Sequence, residues 1–414
     1  MTANPRPEPW FAAYTLVGAV AAGLAPLLLP LWVSRSGNAA HVGLVMAALS
    51  LGQLSAPLWG QLADKRRWHR QLFVSGLLLA GLALSGAALS RDPYLLATES
   101  FALGLGIAVT TTVANLFIVE RYPQESWSAR LGALQTAYAL GQVGGLVVAG
   151  LLSTLHLGLA LAFTALLPFT ALGFSRRLPT MSALAERPGL HVPVHLRVEP
   201  LFASLAHAYH LRHWFGALRH LKTLPPTFAR LLLLWLTVIA GSSFIFAFYP
   251  LLLAQRYDLA TSLVAWGYAG AVALGLLLYT PVGRWAERYG ASRVLRLGIL
   301  LRLGATLGLS ALELFPLAHR ASPALLLFAV LVLAWPLHSV TGTTLAANAG
   351  LPQGEALGLF SASGALAGVA GALLGGVLVH AFGYTVLPLT ATLFLTIGLV
   401  LSQRLSAAPK PSQT

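Results

Sequence analysis

Two charged side chains and one histidine sit inside stretches too apolar to form a water-facing surface. Glu99 falls in Pro93-Tyr-Leu-Leu-Ala-Thr-Glu-Ser-Phe-Ala-Leu-Gly104, Arg302 in Leu295-Arg-Leu-Gly-Ile-Leu-Leu-Arg-Leu-Gly-Ala305, and His338 in Val330-Leu-Val-Leu-Ala-Trp-Pro-Leu-His-Ser339. A carboxyl withdrawn from water favours its neutral form and can be tuned to load and release a proton, so Glu99 is a candidate proton or cation site. The competing reading makes Glu99 an interfacial residue that pairs with Arg91 or reaches water. An imidazole ordinarily titrates near neutrality, which makes His338 the next candidate proton carrier.

Other chemistry is excluded. There is no Cys, hence no disulfide scaffold, Cys-ligated zinc, iron–sulfur cluster or thiol nucleophile. Gly-x-Ser-x-Gly, His-Glu-x-x-His, facing carboxylates and a phosphate-binding loop are also missing, so the reading is neither an enzyme nor a self-contained ATP-driven pump, with no cofactor. His207, His210 and His213, three apart, turn progressively round a helix, which makes shared metal ligation awkward; a solvated or interfacial role fits better.

These side chains must be held by membrane-spanning helices. Of 414 residues, 57% are hydrophobic and only 9% charged, with a mean hydropathy of +0.75. A soluble domain carries about a quarter charged residues. Runs of about 20 apolar residues predict spans 1–6 at 10–33, 42–62, 71–90, 94–119, 131–154 and 157–175, then spans 7–12 at 231–254, 262–283, 294–315, 322–347, 356–380 and 383–402. Span 1 is too long and Pro-rich for a signal peptide and is expected to stay in the mature protein.

The predicted architecture is therefore an all-α membrane protein: a six-helix bundle over 1–175, a cytoplasmic linker over 176–230, and a second six-helix bundle over 231–414. With both termini inside, the inside segments hold 21 of the 26 Lys and Arg, while the outside loops hold Arg35, Arg91, Arg256 and Arg320. That asymmetry places both termini in the cytoplasm of a plasma membrane, the inner membrane in a Gram-negative cell. It also accounts for the net charge of +14 as a basic face next to anionic lipid, with no nucleic acid partner. In the linker, Leu211, Trp214, Phe215, Leu218 and Leu221 recur at helical spacing between Arg212, Arg219 and Lys222, the pattern of an amphipathic helix on the membrane surface.

The two halves repeat. Gly60-Gln-Leu-Ala-Asp64-Lys-Arg-Arg67-Trp-His-Arg70 returns at offset 223 as Gly283-Arg-Trp-Ala-Glu287-Arg-Tyr-Gly290-Ala-Ser-Arg293. Thr111-Thr112-Val-Ala-Asn115 is echoed by Thr343-Thr344-Leu-Ala-Ala-Asn348, and Leu131-Gly132, Gly145 and Gly150 by Leu357-Gly358, Gly371 and Gly376. With these motifs, twelve spans and a long central linker, nearly the whole chain resembles the major facilitator superfamily. The family's loop signature reads Gly-x-x-x-Asp-x-x-Gly-Arg-Lys/Arg; here Arg67 stands at the second Gly, and Trp68 and His69 follow it.

The resemblance implies a gate at Gly60, Asp64, Arg67 and Arg70, with a second copy at Gly283, Glu287 and Arg293. In the family, the acid caps a helix N-terminus of the other half, here span 11 near Glu355 and Ala356, when the cytoplasmic side is closed. Spans 1, 4, 7 and 10 line the family's cavity, which nominates Thr111, Asn115, Ser242, Phe246, Tyr249, Trp335, His338 and Asn348 for substrate binding. Asn115 and Asn348 either pair pseudo-symmetrically or tie helices together. Span 9 is peripheral in the family, so Arg302 is expected to snorkel or bond to nearby backbone rather than touch substrate. Ser100 stands where drug antiporters of the family carry Arg, and span 5 lacks their Gly-Pro.

The expected function is secondary active transport, by a monomer, of a small amphiphilic or weakly charged organic solute: alternating access and proton-coupled efflux. The alternatives are an uptake or facilitative transporter for a sugar-like or other neutral metabolite, and a lipid-moving protein or channel. Protons and membrane lipids are the other expected partners.

Overall fold

The computed structural model describes residues 8–122, 127–153, 156–178, 224–315, 319–349, 351 and 353–403, with the backbone alone at 57, 61, 64, 65, 119, 120, 127–129 and 353–355. The described residues are helical, with no strand. Among the described residues, twelve helices are long and apolar enough to cross a membrane. They are α1 (Phe11–Val33), α2 (Ala39–Gly60), α3 (His69–Leu89), α4 (Pro93–Ile118), α5 (Arg130–Leu152) and α6 (Leu157–Ser175), then α7 (Pro226–Phe246), α8 (Thr261–Tyr289), α9 (Ala291–Leu314), α10 (Ala321–Ala347), α11 (Ala356–Phe382) and α12 (Val386–Gln403). Most of the linker, with its expected amphipathic helix and His207, His210 and His213, lies outside the described residues.

Proline shapes the helices that the sequence shows as single runs. A proline has no N–H and crowds the carbonyl four residues earlier. α1 relaxes into a π-helical stretch, Ala19–Leu24, just before Pro26. α2 breaks after Gln53, ahead of Pro57, and resumes as Ala56–Arg66. The predicted seventh span stops at Phe246 and restarts as a short helix, Tyr249–Tyr257, with Pro250 in its first turn. α10 breaks at Ala334, ahead of Pro336.

Packing repeats between the halves. α1 packs on α5 and α6, α3 on α4 and α6, and α2 on α4; the same pairs recur as α7 on α11 and α12, α9 on α10 and α12, and α8 on α10. The halves meet through α2 with α11 and α5 with α8, themselves equivalent pairs. Glycine permits the approach. A Cβ on Gly376 would lie 2.9 Å from Gly43 Cα, and one on Gly23 of α1 would lie 2.9 Å from Gly145 Cα. Gly150 abuts Trp266 of α8, whose indole donates to the Val147 carbonyl of α5 at 3.3 Å.

One end of the bundle carries both termini: Glu8 meets Arg121 and Arg130 around the α4–α5 turn, and Arg296 at the start of α9 donates to the Ser402 carbonyl of α12 at 3.1 Å. The contacts between Gly43 and Gly376, between Val147 and Trp266, and between Ala25–Val33 and Tyr249–Tyr257 lie toward the other, far end. At the terminus end, among the described residues, a Cβ added at Gly132, Gly283 or Gly358 would meet no atom within 4 Å.

Candidate functional site

The centre of the C-terminal half is built around Arg302. The side chain is 1% exposed, and Nη1 donates to the Ser242 hydroxyl of α7. Its guanidinium lies 5.7 Å from the Phe246 ring and 5.6 Å from the Trp335 ring, a cation–π arrangement with both. Contrary to the expectation from sequence, Arg302 neither snorkels nor bonds to backbone. Ser242 and Phe246, one helical turn apart on α7, turn toward α9 and hold it inward. The signal available in the sequence was an Arg about 12 Å deep by helical rise, with a serine and aromatics on a neighbouring span.

His338 stands on α10 facing α9, where Gly298 leaves room for its ring: a Cβ there would lie 2.9 Å from His338 Cε1. The imidazole is fully buried, and its Nδ1 donates to the Ala334 carbonyl at 2.8 Å. A carbonyl can only accept, so Nδ1 carries a hydrogen, while Nε2 is buried without a partner. Arg302 is close enough to act on it electrostatically.

Aromatic rings connect this group to the other half. Tyr249 stacks on Phe328 at 5.2 Å and meets Tyr268 of α8 edge-on at 5.1 Å. The Tyr268 hydroxyl faces Gln142 of α5 across the seam. On the N-terminal side, Tyr14 of α1 packs 5.3 Å from Tyr138 of α5. Trp335 is 41% exposed and approaches Trp235, which stacks on Phe360 at 4.2 Å. The structure thus brings together Ser242, Phe246, Trp335 and His338, with Tyr249 joined through Tyr268 and Phe328.

Thr111, Asn115 and Asn348 stand apart from that group. Thr111 donates to the Ile107 carbonyl at 2.8 Å. Asn115 donates to the Thr111 carbonyl and Asn348 to the Thr344 carbonyl, each at 2.9 Å. The two asparagines do not pair: each closes onto its own helix four residues back, in matching fashion. Glu99 faces α3, where Gly86 leaves space for its carboxylate, and its Oε2 is buried without a partner. Arg91 instead lies over the Trp32 ring, 6.0 Å from its centroid.

At the terminus end, a Cβ on Gly60 would lie 3.6 Å from the Thr112 methyl, ordinary van der Waals contact. Arg67 ends the α2 continuation with φ 53° and ψ 32°, the left-handed conformation. Gly290, its counterpart, also has a positive φ of 91°. Arg70, Glu287 and Arg293 are exposed. The side chains of Asp64 and Glu355 lie outside the described residues, and so does the expected cap between them.

Two polar groups have no counterpart in the sequence reading. Glu313, buried at the far end of α9, pairs with Arg256 at 2.5 Å. Glu8 accepts from Trp10 at 3.0 Å and from Tyr122 at 2.5 Å, and lies 3.6 Å from both Arg121 and Arg130. Burial and the Glu8 carboxylate hold the Tyr122 hydroxyl above the usual tyrosine pKa. Neither group has a periodic signature, because their partners are far apart in sequence.

Twelve helices in two matched halves, meeting along two equivalent helix pairs, define a membrane protein of the transporter class known for this architecture. The Major Facilitator Superfamily model matches residues 10–351 and 240–414, and the chain belongs to that family. Similar solved structures include the nucleoside transporter NupG, with TM-score 0.71 and 15% identity over 95% of this chain and 96% of that one. A bacterial homolog of the human lysosomal transporter Spinster, inward-facing and occupied, gives TM-score 0.70 and 16% identity over 95% of each chain. The POT family transporter PepTSo gives 0.69 and 15%, over 95% and 97%. Among curated proteins, none matches the sequence.

Proposed function

We propose that the chain is a secondary active transporter that moves a small amphiphilic or weakly charged organic solute outward in exchange for protons. The observation that carries the reading is the one-sided seam: the halves touch through α2 with α11 and α5 with α8 toward the far end, while Gly132, Gly283 and Gly358 near the terminus end meet open space among the described residues. Two rigid halves hinged in this way suit alternating access, with the present form open toward the termini. Lys and Arg asymmetry supports cytoplasmic termini, which makes that form inward-facing. Residues 176–230 act as a cytoplasmic linker between the halves, and the protein works as a monomer in the plasma membrane.

In this reading Ser242, Phe246, Tyr249, Trp335 and His338 line the solute path on the C-terminal side, and Thr111, Asn115 and Asn348 line it nearer the terminus end. Gly60, Asp64, Arg67 and Arg70, with Gly283, Glu287 and Arg293, form the gate turns. Glu99 holds the exchanged proton, supported by its buried, unpartnered Oε2. A fold does not by itself choose the cargo, so the site must.

The test is reconstitution into liposomes with candidate solutes. Flux that saturates and shows counterflow is the expected result; linear flux without counterflow sinks the transporter reading in favour of a channel. Ser182→Cys, introduced into a chain without cysteine, should react with an impermeant reagent only from the cytoplasmic side.

A further inference from the structure

The C-terminal half encloses a guanidinium that no described carboxylate neutralises. Arg302 is 1% exposed and its one hydrogen-bond partner among the described residues is Ser242, whose own hydroxyl is already committed to the Val238 carbonyl at 2.8 Å. The Arg302 Nε–H is buried with no acceptor. The described acidic side chains are engaged elsewhere: Glu313 pairs with Arg256, Glu8 with Arg121 and Arg130, Asp92 caps α4, and Glu99 lies against Gly86 in the other half. Asp258 and Glu287 are exposed. A buried, unpaired charge is costly in a membrane interior, and it persists where something outside the chain completes it.

The surroundings limit what that partner can be. Phe246 and Trp335 offer ring faces beside the guanidinium, and Trp335 is 41% exposed, so the aromatic wall is open on one side. Tyr268, whose ring lies 6.3 Å from that of Phe246, faces Gln142 across the seam, so the site borders the surface that alternating access exposes. A carboxylate can take Nε–H together with an adjacent N–H of the guanidinium fork. One positive charge matches one negative charge.

We infer that Arg302 binds a single carboxylate of the transported solute, whose apolar body lies against Phe246 and Trp335. The inference rests on the transporter reading and adds to it the charge of the cargo.

The probes are 4-phenylbutyrate, its amide and 4-phenylbutylamine, added to the purified protein in detergent and read by thermal shift and calorimetry. The acid should stabilise the protein and bind about tenfold or more tightly than either neutral or cationic analogue, since a charge-assisted bond is lost in both. Arg302→Met should abolish the preference for the acid while folding normally, because it removes a buried charge and keeps apolar volume. Equal binding of acid and amide, no response to the acid, or an unchanged acid preference in Arg302→Met overturns the inference. The wild-type comparison of acid with amide decides the matter even where the variant misfolds. Counterflow separates the two readings: saturable flux of uncharged solutes with no acid preference leaves the transporter standing without this site, and acid binding without any flux does the reverse.

Discussion

Arg67 and Gly290 end equivalent helices with a positive φ in common, 53° and 91°, but with different ψ, 32° and 135°. An L side chain held in a left-handed turn costs about 1 kcal/mol, which glycine avoids. The family signature places Gly where this chain has Arg67, and the backbone supplies the reason. Gly290→Ala should therefore lower the unfolding midpoint in detergent, a loss of about 1–2 kcal/mol. Arg67→Gly should change stability by less than about 1 kcal/mol, since relief of strain is offset by the greater unfolded-state freedom of glycine. A tolerated Gly290→Ala would show that the positive φ is not required.

Much of this fold is legible in the sequence because a membrane leaves few choices. A span must satisfy its own backbone, so apolar runs mark helices, and Lys and Arg mark one face. The repeated glycines were also readable, and they make equivalent contacts: Gly145 meets α1 as Gly371 meets α7, and Gly150 meets α8 as Gly376 meets α2. What the sequence hid was direction. Hydropathy cannot say that Arg302 turns inward to Ser242, or that Glu99 turns toward Gly86, because both depend on which helix lies alongside. The break after Phe246 was hidden as well, since Pro250 sits within an otherwise continuous apolar run.

The seam between the halves depends on a bare backbone. A Cβ on Gly43 would lie 2.5 Å from the Ala372 carbonyl oxygen, whereas one on Gly304 would meet nothing within 4 Å. Gly43→Ala should cost about 1–3 kcal/mol by forcing α2 and α11 apart. Gly304→Ala should gain up to about 1 kcal/mol from helix propensity. Thermal unfolding of the two variants checks the signs, and equal effects would mean that α2 and α11 are not in close contact.

The ion pair at the far end should be asymmetric. Glu313 has a fully buried side chain, while that of Arg256 is 40% exposed. Removing Arg256 strands a buried carboxylate; removing the charge of Glu313 leaves Arg256 free to reach water. Arg256→Gln should cost about 1–3 kcal/mol, less than a fully buried pair because solvent screens the arginine side. Glu313→Gln should cost less than that. Thermal midpoints in the opposite order would contradict the burial of the carboxylate.

The coupling role proposed for Glu99 makes the sharpest demand. Its Oε2 is buried and unpartnered against α3, so a proton there would satisfy an otherwise lone acceptor. Glu99→Gln keeps the shape and mimics the permanently protonated acid. Solute could then still bind and exchange, because exchange moves no net proton, but accumulation driven by a pH gradient should vanish. Glu99→Asp keeps an acid at a shifted position and should retain partial coupling with an altered pH dependence. If Glu99 only fills the space beside Gly86, both variants should accumulate solute nearly as well as the natural chain. Proteoliposomes with an imposed pH gradient separate these outcomes. Full accumulation by Glu99→Gln would remove the residue from the mechanism and pass the role to His338, whose buried Nε2 is without a partner on the other side of the seam.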